Sequence, residues 1–249
     1  MEYFSSNYSR INYPIATDNN KGLRNAQIGS IHAIASHFTL YKVEPALIVL
    51  PTGSGKTAVL NLSAYLLKAK RVLVISSSVL VRGQIAEEFK TLETLKNSNV
   101  FHNDLELPKV KELKSPIRSI EQWVELKNYD VVIGIPNSVN IGINDTFRPD
   151  EDFFDLVLVD EAHHVPAFTW TNVVNAFPNA KKIFFTATPF RRDKKEIEGK
   201  LVYNYPLSKA YEDKIFGDIG YYPVVSDGAN VEEDEEPEFL LLTTMRFFS

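Results

Sequence analysis

Short, almost unbroken apolar runs alternate along this chain with longer stretches in which apolar residues return every three or four positions. Residues 46–50 (ALIVL) form the first run, and Val72–Ile75, 131–135, Leu156–Val159 and 183–185 repeat it. Runs this short, with no polar residue between the apolar ones, predict strands covered on both faces. Ala26, Ile28, Ile31, Ile34 and Ala35 give 23–37 the apolar face of a helix. Leu60, Ala64 and Leu67 do the same after a glycine turn, and Ile85, Phe89 and Leu92 fall at i, i+4 and i+7 after the serine run 76–78. Residues 98–128 are less regular, although Ser119 and Gln122 have capping-box spacing before a short amphipathic piece around Trp123. One further helix is expected near 167–176. Strands alternating with helices predict an α/β fold with a doubly wound, mostly parallel sheet.

The ends read differently. Residues 1–20 are polar and aromatic without a clear period, and predict a loosely packed arm. A single large domain is expected over 21–225, with 203–225 as an extension of it. Residues 226–249 read as an acidic linker and a tail too short to form a domain.

Composition narrows the options. A hydrophobic share of 44% over 249 residues is enough for a substantial core. The chain has no cysteine, so disulfides and thiolate metal sites are excluded. Its first residues lack the pattern of a signal peptide, and no apolar run approaches the roughly 20 residues of a membrane span. A soluble, cytoplasmic protein with no membrane partner is expected. The formal charge of −5 argues against nucleic acid only at first sight. Seven of the 32 acids lie between Asp227 and Glu238, and without them the 27 basic residues slightly outnumber the rest.

Two segments carry candidate chemistry. Pro51-Thr52-Gly53-Ser54-Gly55-Lys56-Thr57 lies between a strand and a helix. Its glycines allow a tight turn that points backbone N–H groups inward, where the helix adds its positive dipole end. Lys56 can then reach the outer phosphates of a nucleotide, and the Thr57 hydroxyl can ligate magnesium. The strict eight-residue phosphate-loop pattern wants glycine at position 50, where this chain has Leu50. About a hundred residues later Asp160 and Glu161 end another apolar strand, at the sheet edge where α/β folds bind ligands. Asp160 can hold hydrated magnesium and Glu161 can orient an attacking water. His163 and His164 stand close by, but His32, His37 and His102 supply no matching ligand spacing for a transition metal. Thr186-Ala187-Thr188-Pro189 ends a further strand. Its hydroxyls could bond the acidic segment, or the segment could be only a turn closed by proline. Arg191 and Arg192 could contact phosphate or simply face solvent.

Together these segments resemble the first motor domain of superfamily 2 helicases and translocases of the DEAD/DEAH-box type, most closely the motor subunits of type I and type III restriction enzymes. Leu23-Arg24-Asn25-Ala26-Gln27 looks like the family's adenine-contacting motif, which implies nucleotide contacts from Arg24 and Gln27. Pro51 to Thr57 resembles motif I, implying nucleotide binding by Thr52, Gly53, Ser54, Gly55, Lys56 and Thr57. Ser77, Leu80 and Gln84 fall as in motif Ia. Pro136 and Ser138 lie where the next nucleic-acid-contacting motif would, with Ile135 replacing its usual threonine. Asp160 to His163 matches motif II, and Thr186 to Thr188 matches motif III. These imply catalytic roles for Lys56, Asp160 and Glu161, metal binding by Thr57 and Asp160, and coupling through His163, Thr186 and Thr188. Tyr203-Asn204-Tyr205-Pro206-Leu207 resembles the segment leading out of the domain. The resemblance covers residues 20–225. It implies a RecA-like fold with the motif III strand between the other two, ATP and Mg2+ at its edge, and a nucleic-acid strand, DNA favoured over RNA, across its top.

Such motors pair two RecA-like domains, and the second adds arginines to the ATP site. This sequence has no counterpart to it, so a second domain or partner chain is expected to complete the site. The polypeptide alone is expected to bind ATP with magnesium, hydrolyse it slowly and not unwind duplexes. Two other classes remain open: a regulatory nucleotide-binding module without unwinding activity, and a phosphate-loop ATPase acting on small molecules or proteins.

Overall fold

The computed structural model describes residues 2–17, 19–139, 149–162, 172, 175–188 and 199–216. Among them, seven strands form one sheet: β1 (Ala46–Val49), β2 (Val72–Ile75), β3 (Val110–Glu112), β4 (Val131–Gly134), β5 (Leu156–Val159), β6 (Lys181–Thr186) and β7 (Lys200–Asn204). Their order is β3-β4-β2-β5-β6-β1-β7, and every pairing is parallel. Parallel neighbours require crossovers, and the helices that make them cover both faces of the sheet. This is the doubly wound α/β architecture of RecA-like domains. It places β6 between β5 and β1, with Val49 opposite Thr186 and Val159 opposite Phe184.

Strand alternation divides the core into two layers. Ile48, Val72, Val74, Ile133, Leu158 and Phe185 point to one face, where α2 (Asn25–Leu40), α3 (Lys56–Leu66) and α4 (Val79–Thr91) pack. Leu47, Leu73, Ile75, Val132, Val157 and Phe184 point to the other, against Trp123 of α6 (Ile120–Leu126) and the edge-to-face rings of Phe153, Phe154 and Phe177. The central strands β1, β2, β4 and β5 are buried at every position, which is why each is a plain apolar run.

The edges depart from expectation. Strands β3 and β7 were not foreseen, because their sequences, VKE and KLVYN, place charges among the apolar residues on half-covered or exposed positions. Helix α2 runs three residues beyond the predicted end at 37. At Ser119 the hydroxyl accepts from the Gln122 N–H at 3.4 Å, while the Gln122 side chain accepts from Arg118, one residue before the usual capping-box donor. The expected helix near 167–176 lies mostly outside the described residues, as do the acidic segment and the tail.

The arm is the clearest difference. Tyr3–Asn7 is a short helix, α1, and Phe4 within it is fully buried. Its ring meets Tyr65 of α3 edge-on at 4.8 Å, and the Tyr3 and Tyr65 hydroxyls are 3.0 Å apart. A segment too short to show a period is thus held by one aromatic plug. Chain contacts group Met1–Phe216 as one unit. No helix among the described residues is long and apolar enough to cross a membrane. Replacing Phe4 by alanine should lower the unfolding free energy by about 3 kcal/mol, as for other buried phenylalanines, in urea titrations of the full chain. A loss under about 0.5 kcal/mol would mean that α1 is not part of the core.

Candidate functional site

The phosphate-type turn begins where β1 ends. Leu50 donates its N–H to the Thr186 carbonyl at 2.9 Å, which ties the entry of the turn to the end of β6. Gly53 and Gly55 have φ of +84° and +86°, a left-handed backbone that side chains disfavour. Ser54 is fully buried and closes the turn, its hydroxyl donating to the Pro51 carbonyl at 2.6 Å. Lys56 then opens α3, with Thr57 exposed beside it.

Helix α2 braces this turn. The Gln27 carboxamide accepts from the Arg24 N–H at 2.8 Å and donates to the Gly55 carbonyl at 3.2 Å. A Cβ on Gly55 would collide with the same carboxamide, so the glycine and Gln27 are fitted to each other. The Arg24 guanidinium donates to the Gly53 carbonyl. Gln27 is only 5% exposed, so its amide acts here as a helix cap and loop brace. That structural role was not read from the sequence, although a Gln three residues after the helix start is its usual signal. Near the end of the described chain, Asp213 accepts from Asn25 at 3.0 Å and from the Tyr205 hydroxyl, and Ile215 lies against Gly53.

The acidic pair arrives from β5. Asp160 donates its N–H to the Ile75 carbonyl at 2.9 Å, continuing the sheet by one residue. Glu161 then turns into the left-handed region, with φ of +52°. For a residue with a Cβ this costs about 1–2 kcal/mol, and it turns the backbone so that both carboxylates face Lys56. The Lys56 ammonium lies 3.2 Å from Asp160 Oδ1 and in direct contact with Glu161 Oε1. Asp160 is 7% exposed. Burial raises its pKa above the usual aspartate value; the Lys56 charge pulls it down, and the Glu161 charge adds to the rise. Two carboxylates around one ammonium leave an excess negative charge, an arrangement that a divalent cation could relieve. Among the described residues no cluster of three or more His, Asp or Glu could hold a metal alone. A hard cation here would take the Asp160 carboxylate, the Thr57 hydroxyl and oxygens of a bound phosphate.

A cavity of about 790 Å³ opens over the turn, a size typical of small-molecule sites. Arg24, Gln27, Thr52, Gly53, Gly55, Lys56, Thr57 and Glu161 all line it. Ser54 stays inside the turn. Asp160 reaches the site through Lys56. Thr186 is buried, and its hydroxyl donates to the Thr188 carbonyl at 2.7 Å and accepts from the Thr188 N–H at 3.2 Å. His163, Pro189, Arg191 and Arg192 lie outside the described residues. Lys21, Gln84, Thr94, Asn97 and Ser98 also line the cavity. Sequence reading placed Gln84 in a nucleic-acid motif and did not single out the others, which belong to loops and short elements without a pattern.

A parallel sheet in this order, with a lysine turn and an acidic pair on strands flanking β6, defines a helicase-type ATP-binding motor domain. The chain belongs to the family described as type III restriction enzyme, res subunit, whose model matches residues 20–191. It is similar to a viral protein assigned as helicase 22, from the Sulfolobus islandicus filamentous virus (isolate Iceland/Hveragerdi). Identity is 28% over 209 residues, 80% of this chain and 34% of the relative. The chain therefore spans about a third of the curated relative it matches. The fold is shared with the UvsW helicase from bacteriophage T4, at a TM-score of 0.51 and 18% identity over 81% of this chain and 66% of that one. It is also shared with the Type ISP restriction-modification enzyme LlaGI, solved with a DNA substrate mimic, at 0.51 and 18% over 78% of this chain and 21% of that one.

The raised pKa of Asp160 gives a signed expectation. The folded state favours the protonated form, so the ionised carboxylate weakens the fold at neutral pH; that penalty starts to shrink as pH falls below the folded-state pKa and is gone below the ordinary aspartate value. Asp160→Asn should therefore raise the thermal midpoint at neutral pH, with the gain shrinking as pH approaches the ordinary value of 3.8. A lower midpoint at neutral pH would show that pairing with Lys56 outweighs burial.

Proposed function

We propose that this chain is the ATP-binding core of a nucleic-acid translocase or helicase, with DNA favoured over RNA, and that it hydrolyses ATP with magnesium when a second RecA-like domain completes the site. The observation that carries this reading is the 3.2 Å approach of Lys56, at the start of α3, to Asp160, just past the end of β5 and far away in sequence. Lys56 is well placed to exchange its carboxylate partners for the outer phosphates of ATP. Thr57 and Asp160 would hold the cation. Magnesium, when bound, would neutralise phosphate charge and draw electron density from the transferred phosphoryl group. Glu161, freed from Lys56, would orient the water that attacks the terminal phosphorus as the bond to the ADP oxygen breaks. Arg24 and Gln27 brace the turn from the side on which the family motif implies base contact. Thr186 and Thr188 are assigned to coupling, because β6 joins the two catalytic strands and its end is bonded to the entry of the turn; His163 is given the same role on the motif resemblance alone.

Completion by a second motor domain is supported by the length of the curated relative, of which this chain covers 34%. An arginine supplied to the terminal phosphate can raise turnover by roughly 10³–10⁵. DNA is favoured because the LlaGI structure, which shares the fold, was solved with a DNA substrate mimic. Exposed Val79 and Leu80, at the start of α4 on the carboxyl edge, give a bound strand an apolar surface to rest on.

Two measurements test the proposal. Lys56→Ala should weaken ATP binding about 10- to 100-fold, the usual worth of a charge-assisted phosphate contact. Turnover by the wild type should be slow alone and rise when DNA and a chain bearing the second motor domain are added. Tight nucleotide binding with no response to any nucleic acid would favour a regulatory module instead.

A further inference from the structure

Part of the cavity has no task in the reading above. Residues 53–57 account for a triphosphate, but a nucleoside must rest on other lining groups. The Gln27 carboxamide is tied to Arg24 and Gly55. Beside Lys21 and Gln84, part of the remaining wall comes from a second stretch of chain: Thr94 and Asn97 on α5 (Glu93–Asn97), and Ser98 just after it.

We propose that Asn97 is a specificity-determining residue that reads the ribose 2′-hydroxyl of the bound nucleotide, with α5 as the wall that presents it. The proposal rests on the nucleotide reading of Lys56 and goes one step past it. Helix α5 is short, yet it is held from several directions. Leu92, with φ of +54°, bends the chain between α4 and α5. The Thr94 N–H and hydroxyl donate to the two oxygens of Glu88 at 2.9 and 2.8 Å, and Leu95 is fully buried. A reading group on such a support keeps its position before the ligand arrives. Thr94 has committed its only side-chain donor to Glu88. Asn97 is exposed, and its carboxamide makes no hydrogen bond among the described residues. An amide offers two donors and an acceptor, and each ribose hydroxyl can both donate and accept. That match favours the sugar over phosphate, which would want a cation.

The test compares ATP with 2′-deoxy-ATP by calorimetric titration of the full chain with magnesium. The wild type should bind ATP about 3- to 10-fold tighter, the effect of one hydrogen bond. Asn97→Ala should bring that ratio close to one by weakening ATP while leaving the deoxynucleotide unchanged. Asn97→Asp keeps an acceptor at the same point and should retain the preference, although both affinities fall through charge repulsion. The side chain is exposed, so all three proteins should melt alike. A wild type without preference overturns the proposal but leaves the Lys56 reading intact, as does an alanine variant that keeps the preference or weakens both ligands equally. Failure of the wild type to bind either nucleotide overturns both.

Discussion

Two carboxylates share one ammonium at the carboxyl edge of the sheet, in a place with little access to water, and the rest of the molecule is arranged to keep them there. Lys56 starts a helix, Asp160 ends a strand, and Glu161 takes a strained backbone to join them. Such a cluster would come apart on a mobile support. Here it stands on β1 and β5, which β6 locks side by side with parallel ladders on both flanks. The two-layer core fixes those strands in turn, since every residue of β1 and β5 is buried.

The same cluster is electrostatically costly. A buried aspartate with a raised pKa beside a second carboxylate is a poor choice for stability alone. It is a sensible one for a site that must trade its internal ion pairs for a charged ligand. The brace made by Arg24 and Gln27 serves that exchange. It holds the turn by the carbonyls of Gly53 and Gly55, so the brace takes up none of the turn's N–H groups; the Ser54 N–H donates to the Pro51 carbonyl within the turn.

Much of the fold was legible because burial on both faces writes itself as uninterrupted apolar residues. Five strands, β1, β2, β4, β5 and β6, were readable for that reason, and the place of β6 between the catalytic strands followed from family resemblance. The edge strands β3 and β7 were not legible, since a half-covered strand mixes lysine, glutamate and tyrosine with its apolar positions. Phe4 was hidden for another reason: a single aromatic plug has no period. At the site, the turn and the acidic pair could be found from residue type and spacing. Their meeting could not, because it depends on which strands become neighbours. The loop brace of Gln27 and the α5 wall were hidden too, being matters of side-chain reach.

The central claim is that Lys56 and Asp160 act on one metal–nucleotide, and magnesium dependence of ATP binding tests it most directly. Titrating ATP into the wild type and Asp160→Ala, each with magnesium and with chelator, separates the metal's contribution from that of the turn. Metal should tighten binding to the wild type and change little in the variant, which would still bind ATP through residues 53–57. A variant that keeps the full magnesium enhancement would contradict the account.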